Sequence, residues 1–246
     1  MMNKQALDRL WEIVDEHSLY ASSRNLRFYM DCAFDGVTFT GKKVLDVGAG
    51  LGLCSFYAAC MGAEKVISLE PEADGATTGV RSDFEKIKDM LGANQITIFP
   101  TTVQNFDPQG EKFDVIILDD CINHLDEDAC TKLHKNDKQA KDSYIKIFNK
   151  IASVSAPGSK IVITDCSRYN IFPLLGLKNP LCPTIEWHKH QSPECWAKLL
   201  TKTGFKNPWI RWRSLNRFGS TGRLIFGNKA VAFFLLSRFF LTMEKP

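Results

Sequence analysis

Apolar residues recur at Leu7, Leu10, Trp11 and Val14, the i, i+3, i+4, i+7 spacing of one helix face, so the first seventeen residues predict an amphipathic helix. A polar and aromatic connection follows from Tyr20 to Phe39, and the pattern then changes period. Lys43 to Val47 reads as a buried strand, and Leu53, Phe56, Tyr57 and Cys60 give the next segment a helical apolar face that Gly62 ends. Val66 to Leu69 is a second strand; Val80, Phe84, Ile87 and Leu91 mark another helix, stopped by Gly92. Ile96 to Phe99 and the β-branched run Val115 to Leu118 are strands three and four. After a long polar stretch, Tyr144, Ile147, Ile151 and Val154 define a helix that Pro157-Gly158 closes ahead of a fifth strand, Lys160 to Thr164.

The end of the chain reads differently. Ser192 is placed to cap a helix with Pro193 in its first turn and Glu194 near the positive end of its dipole; Trp196, Leu199 and Leu200 line it and Gly204 stops it. Phe205 to Arg213 and Ala232 to Met243 read as two closing strands joined by a basic, glycine-containing excursion, hence an antiparallel pair at the sheet edge. The expectation is an α/β, doubly wound, mostly parallel seven-stranded sheet with an antiparallel edge pair. Residues 1–40 read as an N-terminal helical cap, 41–246 as the main domain, and 165–191 as a substrate-binding lid or insertion.

Composition adds limits. At 246 residues and 44% hydrophobic content the chain can bury a large core, and its net charge of +3 does not advertise a polyanionic partner. The charge is uneven, however: from Lys206 to Pro246 there are eight Lys or Arg against the single acid Glu244. Together with Leu224, Ile225, Phe226, Phe233 and Phe234 this keeps open a peripheral contact with an anionic membrane, although those aromatics also suit a core. Nothing combines stacking and basic residues as a nucleic-acid site would. The eight cysteines show no CxxC pair and no zinc spacing, and the charged N-terminus lacks a signal-peptide core, so a cytoplasmic protein with reduced thiols is expected. The longest apolar stretch, Ala230 to Met243, is too short to span a bilayer.

The richest stretch is "KKVLDVGAGLGLCSFYAACMGAEKVISLEPEAD", Lys42 to Asp74: strand, three-glycine turn, helix and strand ending in Glu70. A dinucleotide site wants GxGxxG, whose third glycine permits close helix–strand packing. Here that position is Leu53 and the third glycine comes one residue early, at Gly52. The motif VLDVGAGLG, the acid at the end of the second strand and the closing strand pair resemble the class I S-adenosylmethionine-dependent methyltransferases, of the Rossmann-like type 11/12 kind. The resemblance covers about Gly41 to Thr164 well.

That resemblance implies S-adenosylmethionine as cofactor, S-adenosylhomocysteine as product, and a set of holding residues. Asp46 would lie near the amino end of the methionine moiety, and Gly48, Ala49, Gly50 and Gly52 would bring backbone close to the ligand. Glu70 would accept the ribose hydroxyls, with Pro71 or Glu72 flanking adenine. Where the family often has an Asp after the third strand, this chain has Thr101-Thr102-Val103, so Thr102 and Val103 would serve through backbone groups. Asp119, ending the fourth strand, is the first choice for a donor-side contact.

On the acceptor side "LDDCINHLDEDAC" brings Asp119, Asp120, Asn123 and His124 beyond the fourth strand. His124 either deprotonates an acceptor hydroxyl or amine, or orders its loop. In Asp165 to Glu194, polar groups are interleaved with apolar surface: Arg168, Tyr169, Trp187, His188 and His190 are the expected acceptor-binding residues, His188 being a second catalytic candidate beside His124 and Asp119. Asp119, Asp120 and Asp165 could be read as magnesium ligands by analogy with catechol methyltransferases, but the neighbouring pattern differs and no metal is expected. The function expected is methyl transfer to an oxygen or nitrogen of a small-molecule acceptor, free or lipid-linked. The alternatives are a nucleotide-binding module without catalysis and a nicotinamide-dependent oxidoreductase, the latter disfavoured by Leu53.

Overall fold

The computed structural model of the chain describes residues 3–71 and 79–246. Among them, seven strands form one sheet: β1 (Lys43–Val47), β2 (Lys65–Leu69), β3 (Ile96–Phe99), β4 (Phe113–Asp119), β5 (Ser155–Cys166), β6 (Lys206–Trp212) and β7 (Arg238–Glu244). Their order is β3-β2-β1-β4-β5-β7-β6. β1 pairs in parallel with β2 and with β4, β2 pairs in parallel with β3, and β6 pairs antiparallel with β7. This is the doubly wound sheet with an antiparallel edge that the hydrophobic pattern predicts. Its order reverses between β1 and β4, and ligands of open α/β sheets bind beyond the carboxyl ends of the strands at such a point.

The chain divides into two compact units, residues 1–119 with 154–161, and residues 120–153 with 162–246. In the first, α1 (Lys4–Glu16) is capped by Asn3, whose side chain accepts from Ala6 N–H, and buries Leu10, Trp11, Ile13 and Val14. α2 (Ser23–Ala33) lies inside what the sequence presents as a connection; Ser22 caps it and Leu26, Tyr29 and Met30 are buried. Both helices, expected as a cap, pack within this unit. α3 (Leu53–Cys60) is buried from Cys54 through Cys60, more than one face, because α1 packs against it as well as β1, β2 and β3. α4 (Val80–Leu91) ends, as expected, on a left-handed Gly92.

The second unit holds α5 (Glu127–Leu133), α6 (Lys138–Val154), α7 (Ile171–Leu174), α8 (Pro193–Thr201), α9 (Gly219–Phe226) and α10 (Lys229–Phe234). Its core forms around Trp196, whose ring lies 4.9 Å from that of Tyr144, with Phe148 beside both. The Tyr144 hydroxyl donates to the carbonyl of Ile122 at 3.0 Å, which satisfies its one polar atom in the core.

Three expectations need correction. The polar stretch after β4 contains α5, capped by Asp126, whose side chain accepts from Ala129 N–H. Pro157-Gly158 does not stop a helix; α6 ends at Val154 and the pair lies within β5, on its exposed opening residues, where a missing N–H costs little. Ala232 to Met243 is not one strand: Asn228 caps α10 with its side chain on Val231 N–H, and the chain turns at Ser237, φ 49°, before β7. A continuous apolar run cannot distinguish helix from strand by period alone, and the polar cap decided it.

Candidate functional site

Strand register sets the first half of the site. Val47 lies opposite Leu69 and Leu118, and Leu69 opposite Phe99, so the chain leaves β1, β2, β3 and β4 at one level. Gly48, Glu70 and Asp119 therefore stand at the same edge. The amides of Gly48 and Ala49 both donate to the carbonyl of Leu69, at 2.8 and 3.0 Å, which pins the turn to the end of β2. Gly48, Gly50 and Gly52 have φ of 66°, 52° and 81°, backbone that L side chains rarely adopt. The three glycines are not equivalent. A Cβ on Gly52 would sit 2.3 Å from the Phe84 ring, so this glycine serves packing, whereas a Cβ on Gly50 would meet open space.

Gly52 also begins α3 without any side-chain cap, leaving the helix N-terminus open to a ligand. The amide of Gly50 donates to Glu70 Oε2 at 2.8 Å. Glu70 thus clasps the turn with one oxygen.

Asp46 is 1% exposed. Its Oδ2 accepts from the Ser55 hydroxyl at 2.6 Å, and Ser55 Oγ lies 2.7 Å from Ser68 Oγ, so with the Ser55 proton committed, Ser68 donates to Ser55. Asp46 Oδ1 is buried without a hydrogen-bond partner among the described residues. Burial pushes this carboxyl up to about 7; the Ser55 hydrogen bond opposes the rise, and the charges of Asp119 and Glu70 add to it. An orphaned acceptor on a carboxyl crowded by two others, beside an open glycine turn, fits a cationic ligand group. Asp119 receives the Tyr29 hydroxyl on Oδ1 and the Cys54 thiol on Oδ2, the latter at 3.4 Å.

Val103 is buried and Thr102 half-buried, its carbonyl taken by the amides of Asn105 and Phe106 at 3.1 and 2.9 Å. Pro71 is exposed, and Glu72 lies outside the described residues. Ser55, Ser68, Tyr29 and Cys54 escape the sequence reading. The one available signal was a serine within the apolar face of α3.

In the second unit, His190 Nδ1 lies 2.8 Å from Asp165 Oδ1. Asp165 is 2% exposed and its Oδ2 is buried without a hydrogen-bond partner among the described residues. Burial raises the Asp165 carboxyl above its usual range; the His190 hydrogen bond opposes this and Asp120 adds to it. Asp120, the first residue past β4, pairs with Arg238 at 2.5 Å. Burial pushes its carboxyl up, but the Arg238 guanidinium outweighs that and holds it low, although half the side chain meets solvent.

The other histidines are placed differently. His124 is exposed, with Nδ1 2.5 Å from Glu127 Oε1 and Nε2 3.3 Å from Asn123 Nδ2. Both ring nitrogens are engaged, and Glu127 continues to Lys189 at 3.3 Å, so His124 ties its loop together. His188 is exposed while its neighbour Trp187 is buried, so the two do not line one surface. Arg168 is half-buried, its Nη1 buried without a hydrogen-bond partner among the described residues, and Tyr169 is exposed. Among the described residues no group of three or more His, Cys, Asp or Glu could hold a metal ion.

The segment expected as a lid is latched down. The buried Asn170 donates from Nδ2 to the Leu235 carbonyl at 3.0 Å and to Ser237 Oγ at 2.9 Å. Asn179, also buried, donates to the same carbonyl at 2.5 Å, and Ser237 Oγ donates to the Tyr169 carbonyl at 2.7 Å.

Sheet order, switch point and a glycine turn of GxGxG spacing define a class I methyltransferase fold. A methyltransferase-domain family model matches residues 17–208, most of the chain, and the chain belongs to that family. Solved structures agree on the fold. A candidate S-adenosylmethionine-dependent methyltransferase from Listeria monocytogenes is 11% identical with a TM-score of 0.62, over 90% of this chain and 99% of that one. A S-adenosylmethionine-dependent methyltransferase from Aquifex aeolicus is 14% identical, TM-score 0.56, covering 90% and 98%. A phosphoethanolamine N-methyltransferase from Haemonchus contortus, solved with phosphomonomethylethanolamine and S-adenosylhomocysteine, is 17% identical, TM-score 0.57, over 91% of this chain and 52% of that one. S-adenosylmethionine is the cofactor of this class. No helix among the described residues is long and apolar enough to cross a membrane.

Proposed function

We propose that the chain transfers the methyl group of S-adenosylmethionine to an oxygen or nitrogen of a small-molecule acceptor, with Asp46 and the glycine turn holding the donor and the His190–Asp165 pair accepting the acceptor's proton. The observation that carries this reading is Asp46, a buried carboxyl with an orphaned oxygen beside the open glycine turn. Asp46 would hold the cationic amino end of the methionine moiety, the Gly48–Gly52 backbone would admit its close approach, and Glu70 would take a ribose hydroxyl on Oε1 while Oε2 keeps the Gly50 amide. When bound, the cofactor supplies an electrophilic methyl on a sulfonium, and positioning of the acceptor accounts for much of the rate.

The acceptor must lose a proton. The proposed base is His190: Nδ1 lies 2.8 Å from Asp165 Oδ1, which would orient the ring, and its Nε2 makes no hydrogen bond among the described residues. The Asp165 carboxylate would stabilise the imidazolium as it forms. His124, with both nitrogens engaged, suits a loop-ordering role, and Asp119 a donor-side one. Calorimetry with S-adenosylmethionine and S-adenosylhomocysteine tests the reading. Binding by the wild type, weakened about a hundredfold in Asp46→Asn, is expected, a loss of about 2.7 kcal/mol; absence of binding would sink it. Binding with no product from a broad panel of hydroxyl and amine acceptors would favour a non-catalytic module instead.

A further inference from the structure

Polar side chains buried beneath α7 and α10 hold an apolar surface outward. Asn170 and Asn179 converge on the Leu235 carbonyl, and α7 packs against α10. With their backbone so fixed, Leu174, Leu175, Leu177 and Phe234 remain 64%, 65%, 57% and 57% exposed. On α9, Leu224 is 87% and Ile225 54% exposed. Large side chains left more than half exposed on fixed backbone contribute little to the core, and clustered apolar exposure on ordered backbone marks a contact surface.

The sequence around these residues carries one sign of charge. Residues 166–185 contain Arg168 and Lys178 and no Asp or Glu, and residues 205–243 contain seven Lys or Arg and no acid. Some of the cations are answered from outside these segments, Lys229 by Glu194 and Arg238 by Asp120. Lys178 and Arg223 sit directly beside the exposed Leu177 and Leu224. A cluster of exposed leucines and a phenylalanine bordered by basic residues matches the interfacial zone of an anionic bilayer, where apolar tips enter the acyl boundary and cations meet phosphates.

We infer that the α7–α10 face docks the protein on an anionic lipid surface, with the exposed Leu224 and Ile225 of α9 as a second apolar contact. If the methyltransferase reading holds, on which this clause alone rests, the acceptor is presented from that surface as an amphiphile. Sedimentation of the full chain with phosphatidylcholine vesicles, and with vesicles holding about a third phosphatidylglycerol, tests docking without any cofactor. Binding to the anionic vesicles should exceed binding to neutral ones at least about tenfold and fall steeply between about 50 and 500 mM salt. A Leu174→Ser/Leu175→Ser/Leu177→Ser variant should lose it while keeping its melting temperature; Leu224→Ser alone, at the most exposed site, gives the same readout if the triple variant unfolds. Equal binding to both vesicles, no binding, or variants that bind like the wild type would overturn the inference. So would sedimentation velocity showing a dimer of the free chain that the same variants dissociate, since the face would then meet a second copy. Loss of cofactor binding in calorimetry with docking intact would strike the functional reading alone.

Discussion

Asp46 and Asp165 are two carboxyls at the ends of central strands, each at most 2% exposed and each raised by burial. They differ in what answers them. Asp46 is met by a serine pair that cannot change charge, and Asp165 by an imidazole that can. The first arrangement has a fixed deficit of positive charge that a cationic ligand removes; the second can pass a proton between its own members. On the proposed function, Asp46 holds the donor and the His190–Asp165 pair moves the proton.

The sharpest way to break this comparison is to remove the ring. His190→Ala should lower turnover with a responsive acceptor by roughly 10²–10⁴-fold, the range of general-base catalysis, while leaving the cofactor dissociation constant unchanged. Asp165→Asn should act in the same direction and move the rising limb of the pH–rate profile, which a purely structural residue would not.

Next comes the pH dependence of Asp46. Its folded value of about 7 lies above the ordinary 3.8, so the folded state holds this proton more tightly than the unfolded one. The stability it contributes is present in full below about pH 4 and is lost as pH rises through 7. Relative to Asp46→Asn, the ligand-free wild type should lose roughly 3 kcal/mol between pH 5 and 8 in urea unfolding, at about 1.4 kcal/mol per unit. A flat difference would mean that burial is not what raises Asp46.

Gly52→Ala should cost about 2–3 kcal/mol, combining overpacking against Phe84 with left-handed backbone strain, and should lower the melting temperature; Gly50→Ala, with open space at its Cβ, should cost less. The smallest effect is expected at the latch. Asn179→Ala removes one of two donors to the Leu235 carbonyl, for about 1–2 kcal/mol, seen as faster amide exchange in residues 171–181 and not at the glycine turn.

The same contrast explains what could be read beforehand. β1, β2 and β4 are buried parallel strands, which appear in sequence as short apolar runs, and Asp46, the glycines and Glu70 lie within one βαβ unit. α2 was equally legible in principle, since Leu26, Tyr29, Met30 and Ala33 keep helical spacing, but its charged and polar residues masked it. Ser68, Tyr29 and Cys54 carry no local signal, because each gains its role from a partner across the unit. The pairing of His190 with Asp165, 25 positions apart, required the fold of the intervening loop; among three nearby histidines the sequence offered no reason to choose it.

Because Asn170 and Asn179 hold the loop from beneath, the residues above them are released from any duty to the fold. Leu174, Leu175 and Leu177 can be replaced one by one without unfolding the protein, whereas loss of both asparagines would free the loop. The loop's outer side chains can therefore be suited to the surface they meet while its foundation carries the fold.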